Sequence, residues 1–316
     1  MELKKRVRQG CPLSPTLFNV SLADLEEEMK KSSDVHYTRR AKEDDKEVGK
    51  IFGKKSLKLN TEKSKIMVFR KGQGRRTRLE FKWKEEVIEE VKEFNTYLGY
   101  IIKCNNSDEG QIKKLEGKAK TVVGRIWSIG ERKFKEDWDK RMKLFDALIE
   151  SVMMYGAEIW GWKEREELER IQRKYIKCVL KLDRNTPDYI VMKETNRDDL
   201  IIKTGKRALK YEEKLEKQER NTILGECWKI QERRREEKSQ EDKREFLRKK
   251  GWSIEKYWED KDRKESVWQR LKEKGREIQT NYTEERIKDS RHAEEIKEVL
   301  LEKQGDTWRE AKERIS

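Results

Sequence analysis

The sequence predicts an α+β protein that is predominantly helical, and three observations lead to this prediction. Only three of its 316 residues are proline, which favours long uninterrupted helices. Apolar residues recur at three- and four-residue spacing in the middle of the chain, as along one face of a helix. Short apolar runs before residue 104 are typical of strands. The chain therefore divides into a mixed zone at 1–103, a helical bundle at 104–184 and an extended, charged helical region at 185–316.

The first zone contains one helix and several strands. Ser14 is a good N-cap and Pro15 suits the first helical position, so a helix is expected to run from there to about residue 31. The apolar, β-branched run at 65–70 predicts a buried strand. Residues 79–83, 86–91 and 94–102 predict further strands, which together form a small antiparallel system.

The second zone contains three amphipathic faces that can close a bundle. The first face comprises Ile112, Leu115, Ala119, Val122, Val123, Ile126 and Trp127. The second comprises Met142, Phe145, Leu148, Ile149, Val152, Met153, Ile159 and Trp160. The third comprises Leu168, Ile171, Tyr175, Val179 and Leu182.

The third zone has few apolar positions. Residues 233–249 are almost entirely charged, so they are expected to be solvated rather than packed. The large anchors expected in this zone are Trp228, Trp252, Trp258, Trp268 and Trp308.

Composition limits the core and indicates a class of partner. Hydrophobic residues make up 33% of the chain, against roughly 45–50% in a typical domain, and charged residues make up 45%. The 79 Lys and Arg against 64 Asp and Glu leave a net charge of +15. Such a charge suits nucleic acid, although a salt-bridged helical surface with an incidental excess explains it equally well.

Several classes of protein are excluded. No run of about 20 apolar residues is present, so we expect no membrane partner. The N-terminus has no apolar leader, which predicts an intracellular protein, cytoplasmic or nuclear. The four cysteines show no CxxC or Cys/His pairing, and His36 and His292 are isolated, so no zinc site is expected.

Four segments resemble the reverse transcriptases of non-LTR (LINE, jockey-like) retrotransposons. Residues 8–19 read RQGCPLSPTLFN, and residues 57–65 read LKLNTEKSK. Residues 94–99 read FNTYLG, and residues 154–161 read MYGAEIWG. The segments occur in the order and at the spacing of that family. The resemblance covers roughly residues 4–230.

The resemblance implies an architecture and a set of site residues. It implies a partial palm at 1–103, a thumb-like bundle at 104–184 and a charged helical C-terminal region. The loop beside template and nucleotide would comprise Arg8, Gln9 and Gly10. Lys63 would lie near the departing pyrophosphate. The hairpin that grips the primer end would comprise Phe94, Tyr97, Leu98 and Gly99.

The sequence departs from the family at the metal ligands. Polymerases of this family hold Mg²⁺ with an aspartate from an early palm strand and a Tyr-x-Asp-Asp turn. The early strand would precede Arg8, and the turn would lie between residues 31 and 65. That interval offers Asp44 and Asp45, whose charged flanks are typical of a solvated helix and not of a buried hairpin. We therefore expect no catalytic residue, no metal and no cofactor, and interpret the chain as a truncated, inactive product.

A basic stretch is the expected nucleic-acid contact. Residues 70–78 contain Arg70, Lys71, Arg75, Arg76 and Arg78 without an acidic neighbour. It can be a phosphate-contacting loop or a solvated hairpin connection. We expect it to supply most of a weak, non-specific affinity for RNA or DNA, because Arg233, Arg234 and Arg235 lie among glutamates.

Two alternatives stay open at this point. The chain is an active RNA-directed DNA polymerase if another chain completes its metal site. It is a structural helical protein if it does not bind nucleic acid at all. The sequence does not indicate an oligomeric state.

Overall fold

The protein is described here from a computed structural model, which describes residues 59–69, 81–83, 86–135, 137–217, 225, 241–253, 255–257, 259 and 267–289. The chain forms two compact units, residues 1–107 and 108–316. Strands lie in the first unit and helices dominate the second, so the predicted α+β, mostly helical class is confirmed for these residues.

Two small sheets make up the described part of the first unit. β1 (Lys65–Ile66), β2 (Phe81–Trp83) and β3 (Glu86–Glu90) form one sheet in the order β1-β3-β2. β4 (Glu93–Tyr97) and β5 (Tyr100–Lys103) form an antiparallel hairpin. The β1–β3 pair is parallel, with Lys65 opposite Glu89. The prediction of a purely antiparallel system was therefore wrong.

The predicted buried strand at 65–70 is also wrong for 65–69, whereas Arg70 lies outside the described residues. Only Lys65 and Ile66 are in a strand, and no residue of 65–69 is fully buried. Phe69 is 57% exposed. In β3, Ile88 is buried whereas Val87 is 57% exposed. A strand of two residues with one neighbour gives an apolar run too little surface to pack against, whatever its β-propensity.

Nine α-helices lie in the described part of the second unit. Their bounds are α1 (Glu109–Lys133), α2 (Trp138–Leu144), α3 (Ser151–Met153), α4 (Ala157–Trp160), α5 (Glu166–Val179), α6 (Asp188–Glu194), α7 (Leu200–Glu216), α8 (Glu241–Lys249) and α9 (Val267–Lys288). A π-helical segment (Phe145–Glu150) joins α2 to α3. Among the described helices, none is both long and apolar enough to cross a bilayer.

Local sequence explains several of these boundaries. Asp137 caps α2, its Oδ1 accepting a hydrogen bond of 3.0 Å from the Lys140 backbone N–H. Gly156 separates α3 from α4 with a φ of 72°, a conformation that glycine adopts at little cost. The first turn of α5 holds three glutamates, which complement the positive end of the helix dipole.

The three predicted apolar faces form the core of the bundle, but two of their residues are exposed, and Val122, Val123, Trp127 and Val152 are only half-buried. Ile112, Leu115, Phe145, Ile149, Met153, Trp160, Leu168, Tyr175 and Val179 are all buried. Leu148 and Ile159 were predicted to be buried but are 44% and 66% exposed. Leu148 lies in the π-helical segment, where each residue rotates by less than in an α-helix, so it turns away from the core. Ile159 follows Gly156, which starts a new helix whose inner face carries Ala157 and Trp160.

The charged C-terminal zone packs onto the bundle instead of extending into solvent. Phe246 and Leu247 of α8 are buried, so the prediction that 233–249 is solvated is wrong for 241–249; the rest of that stretch lies outside the described residues. They join a second core cluster whose other buried members are Ile201, Ile202, Leu209, Trp252, Tyr257, Val267 and Leu271. Of the predicted anchors, Trp252 is buried and Trp268 packs against this cluster.

A buried lysine fastens α8 to the bundle. Lys243 is 3% exposed, and its Nζ lies 2.6 Å from Oε2 of Glu212 in α7. The ammonium group also lies 4.2 Å from the ring centroid of Tyr257 and 5.1 Å from that of Trp162. The Nε1 of Trp162 donates to Oε1 of Glu212 at 3.0 Å. The carboxylate and the two aromatic faces together offset the desolvation of the buried cation.

Two backbones approach each other closely at Gly161, just after α4. A Cβ at this position would overlap the carbonyl oxygens of Ala157 and Thr204. The hydroxyl of Thr204 donates to the Gly161 carbonyl at 3.0 Å, so the two backbones are tied where they approach. The segment at 154–161 that resembles a retroelement motif thus has a packing role in this protein.

We expect Gly161→Ala to lower the free energy of unfolding by about 3 kcal/mol or more, because the added methyl group meets backbone atoms that cannot turn aside. Urea denaturation monitored by circular dichroism measures this change. The matched control is Gly124→Ala in α1, where a Cβ meets nothing within 4 Å. That variant should gain up to about 1 kcal/mol from helix propensity. Equal effects of the two variants would contradict the close-packing explanation.

Candidate nucleic-acid interface

Most of the site residues suggested by sequence fall outside the described part of the chain. Arg8, Gln9 and Gly10 lie there, and so does the basic stretch that comprises Arg70, Lys71, Arg75, Arg76 and Arg78. Lys63 is described and is exposed, two residues before β1. Its backbone N–H donates to Oδ1 of Asn60 at 3.0 Å, which forms a local turn that presents the lysine to solvent.

The predicted hairpin residues lie in β4 and in the two-residue turn that joins β4 to β5. Phe94 and Tyr97 belong to β4, with Phe94 opposite Ile102 and Tyr97 opposite Tyr100. Leu98 and Gly99 have φ values of 52° and 84°, as tight hairpins with two turn residues require. A leucine in this conformation costs roughly 1 kcal/mol, and its side chain is 81% exposed at the tip. The structure therefore brings Leu98 and Gly99 together as a strained, projecting tip.

A row of positive charges lies along α7. Six cations recur at three- and four-residue spacing, which places them on one side of the helix at about 100° per residue: Lys203, Lys206, Arg207, Lys210, Lys214 and Lys217. The opposite side carries the buried Leu200, Ile201, Ile202, Thr204, Ala208 and Leu209. The cationic side, which we call the α7 basic face, spans roughly 21 Å along the helix.

Part of the α7 basic face is neutralised and part is not. Lys203 lies 2.5 Å from Glu150 and Arg207 lies 3.9 Å from Glu158. Within the described ranges, Lys210, Lys214 and Lys217 are exposed and make no ion pair. Three successive cations over two helical turns thus remain available for an external anion.

Aromatic side chains accompany these cations. Tyr211 lies between Lys210 and Lys214 and is 37% exposed. Arg207, one turn earlier, donates to the Met154 carbonyl at 3.0 Å, which places the segment after α3 beside the α7 basic face. In that segment Tyr155 is 42% exposed. Cations interleaved with exposed aromatic rings are typical of surfaces that bind single-stranded nucleic acid by phosphate pairing and base stacking.

A second basic surface runs along α1. Lys113, Lys118, Arg125 and Arg132 are exposed and make no ion pair with any residue that the structure describes. Gly117 and Gly124 lie among them with open space around their Cα atoms. In the described part of α1, this surface carries no exposed aromatic ring comparable to Tyr211. Its exposed large apolar side chain is that of Ile129. We therefore consider it secondary to the α7 basic face.

A buried carboxylate fixes the start of α7. Glu169 of α5 is 1% exposed, and its Oε1 accepts a hydrogen bond of 2.9 Å from the Ile201 backbone N–H. Asp199 occupies the N-cap position but makes no capping hydrogen bond through its side chain. Glu169 thus caps α7 from a neighbouring helix. Burial, followed by the charge of Asp199, raises the pKa of Glu169 to about 7, against hydrogen bonds from Leu200 and Ile201 that lower it.

Sequence reasoning missed the α7 basic face because it searched for contiguous basic runs. Glu212, Glu213 and Glu216 interrupt the lysines in the sequence, yet they lie away from the centre of the cationic side. The signal that could have identified the face was the helical spacing of the cations themselves. The same spacing argument had been applied to apolar residues only.

No metal site is found in the described residues, since no three His, Cys, Asp or Glu side chains are placed to hold an ion. Comparison with known proteins adds no identification. No family profile matches the chain, and neither a curated protein nor a solved structure matches it.

We expect the pKa of Glu169 to appear as a pH dependence of stability. The native state binds this proton more tightly than the unfolded chain, whose carboxyl titrates near 4.5. The contribution of Glu169 to stability therefore falls as the pH rises from about 4.5 to about 7, by up to roughly 3 kcal/mol. Chemical denaturation at pH 5–8 should show the unmodified protein losing stability relative to Glu169→Gln. Glu167→Gln, at an exposed neighbour, should show no such divergence; a constant difference for Glu169→Gln would contradict the assignment.

Proposed function

We propose that this chain binds RNA or DNA weakly and without sequence preference, as a derivative of a non-LTR retrotransposon reverse transcriptase that does not polymerise. The observation that carries the binding proposal is the row of three unpaired lysines around the exposed Tyr211 on α7. The proposal on origin rests on the four sequence segments at 8–19, 57–65, 94–99 and 154–161.

Electrostatics favours a polyanion over a small anion at this surface. The lysines at 210, 214 and 217 are separated by about one helical turn each, roughly 4.5–6 Å along the axis. Such a row can follow consecutive phosphates, whereas a single small anion can pair with one or two of them. Binding releases the counterions that these phosphates had condensed, which supplies most of the free energy of non-specific binding.

Stacking favours a single strand over a duplex. Tyr211 offers an exposed ring between cations, and stacking of a base on such a ring stabilises binding by about 1–3 kcal/mol. Every base has a stacking face, so this contact does not select a sequence. Phosphate contacts position a strand without specifying it. Both contacts therefore support an affinity that is broad and low.

The proposal that the chain does not polymerise rests on its sequence. The sequence contains no Tyr-x-Asp-Asp segment, and its adjacent aspartates Asp44 and Asp45 have charged flanks. A rigid pair of Mg²⁺ ligands needs buried strands on both sides. Two alternatives compete with this proposal: a polymerase whose metal site another chain completes, and a structural helical protein without nucleic-acid affinity.

The α7 basic face and the basic stretch at 70–78 are both proposed contacts. We expect Lys210→Gln, Lys214→Gln and Lys217→Gln together to flatten the slope of log K against log salt by about 2, at about 0.7 per phosphate contact on single strands. Fluorescence anisotropy with labelled oligouridine and oligoadenosine, measured between about 50 and 200 mM salt, gives the slope. Both sequences should lose affinity equally.

The control variant removes the same number of positive charges, but from positions outside the α7 basic face. Lys120, Lys140 and Lys274 each pair with a carboxylate on the surface, so their joint change to Gln should affect the slope much less. Tyr211→Ala should weaken binding about five-fold or more while leaving the salt slope unchanged. If both triple variants flatten the slope alike, binding follows net charge alone and the α7 basic face is not the site.

We expect no primer extension by the purified chain. The assay contains primer, template, deoxynucleotides and Mg²⁺ or Mn²⁺, with heat-inactivated protein as its blank. Extension that is lost in Asp44→Asn or Asp45→Asn would show that these aspartates form a metal site and would favour the polymerase alternative.

A further inference from the structure

A cleft of about 200 Å³ lies between the turn after α4, the start of α7 and the end of α8. Its apolar wall includes Trp162 and Phe246, whose rings meet edge to face with centroids 5.3 Å apart. This volume exceeds the roughly 150 Å³ of a cavity that binds benzene, so a free amino acid can enter it.

The cleft is lined by four acidic residues and three lysines, and most of them are paired or exposed. Lys249 bridges two of its carboxylates, Glu164 at 3.1 Å and Glu245 at 3.3 Å. Lys163 and Asp242 are exposed at its rim. Two charges remain further inside, Asp199 from the start of α7 and Lys250 from the end of α8. A cleft that leaves one inner anion and one inner cation suits a ligand that carries both signs.

The carboxylate of Asp199 is available to a ligand because Glu169, and not Asp199, accepts the capping hydrogen bond of α7. An aspartate at the N-cap normally accepts hydrogen bonds from its own helix. Here Glu169 reaches Ile201 from α5 in its place, and the side chain of Asp199 makes no hydrogen bond or ion pair with any described residue. Burial is the main cause that raises the pKa of Asp199, although the charges of Arg173 and Lys250 act in the opposite direction.

Lys250 is positioned by a glycine in α9. A Cβ at Gly275 would lie 2.9 Å from Cδ of Lys250, so the lysine stem lies across the helix where only glycine leaves room. Glycine within a helix of 22 residues costs about 1 kcal/mol relative to alanine. Burial lowers the pKa of Lys250, and in the described residues its ammonium group pairs with no carboxylate within 4 Å.

We propose that this cleft binds a small zwitterion, with the ligand ammonium paired to Asp199 and its carboxylate to Lys250. The apolar part of the ligand lies against Trp162 and Phe246. The ligand thus provides Asp199 and Lys250 each with an ion pair, which neither side chain makes with the described residues. An aliphatic or aromatic amino acid has the required charges and size.

The test compares three ligands that differ by one charged group. L-leucine carries both charges, 3-methylbutylamine lacks the carboxylate and 4-methylpentanoate lacks the amine. Ligand-observed NMR titrations of the full chain should give a millimolar Kd for leucine, as expected for a ligand of this size. Each analogue should bind at least about ten-fold more weakly. No binding of leucine at tens of millimolar, or equal binding of all three, overturns the proposal without need of any variant.

Variants then assign each contact. Asp199→Asn should remove the advantage of leucine over 4-methylpentanoate, and Lys250→Met should remove its advantage over 3-methylbutylamine. Asp139→Asn and Lys174→Met, at exposed positions outside the cleft, should leave the three-ligand ranking unchanged. If the cleft variants fold and keep the ranking of the unmodified protein, the ligand binds elsewhere and the proposal fails.

Discussion

The near-contact of two backbones at Gly161 is the constraint on which the helical unit depends. Thr204 in α7 donates its hydroxyl to the Gly161 carbonyl, so α4 and α7 lie as close as their main chains allow. This position brings Lys203 to Glu150 and Arg207 to the Met154 carbonyl on one side of α7. Glu169 holds the start of the same helix from α5. With α7 fixed along its length, the cations on its outer side keep a constant spacing.

A chain with few apolar residues has to bury charged ones, and this protein buries them in aromatic surroundings. Arg141 is 2% exposed, lies 4.3 Å from the Trp127 ring and pairs with Glu131 at 2.7 Å. Lys243 likewise lies against the rings of Tyr257 and Trp162 and pairs with Glu212. Removing one member of such a group leaves a buried charge without compensation, which is far more costly than losing the pair as a whole. The interior thus depends on specific combinations of side chains more than on total apolar area.

Sequence periodicity predicted the bundle well because its helices bury one continuous face each. Phe145, Met153, Leu168 and Tyr175 lie in the core as their spacing required. The failures have local causes that spacing cannot reveal. Leu148 and Ile159 turned outward because a π-helical segment and a left-handed glycine altered the helical phase. The packing of 241–249 was not predicted because Lys243, a charged residue, is buried there.

The candidate site was less predictable than the fold. The motif at 94–99 located a real hairpin, with Leu98 and Gly99 at its turn, although its assigned role remains a prediction. The lysines of the α7 basic face are not contiguous in the sequence, so they are recognised as neighbours only once the segment is known to be helical. The presence of Asp199 and Lys250 in one cleft depends on tertiary contacts between α5, α7, α8 and α9, which no single segment encodes.

The π-helical segment between α2 and α3 is a place where this helix can lose one residue. A turn of this kind holds one residue more than an α turn, so it resembles an insertion that the helix has absorbed. Deletion of a single codon within Phe145–Glu150 would restore regular winding and keep the helix intact. Because the wide turn had absorbed the extra residue, α2 and α3 would keep their present phase. Arg141 would then stay beside Trp127 and Glu131, whereas the same deletion within a regular α-helix would rotate the residues on one side of it by about 100°.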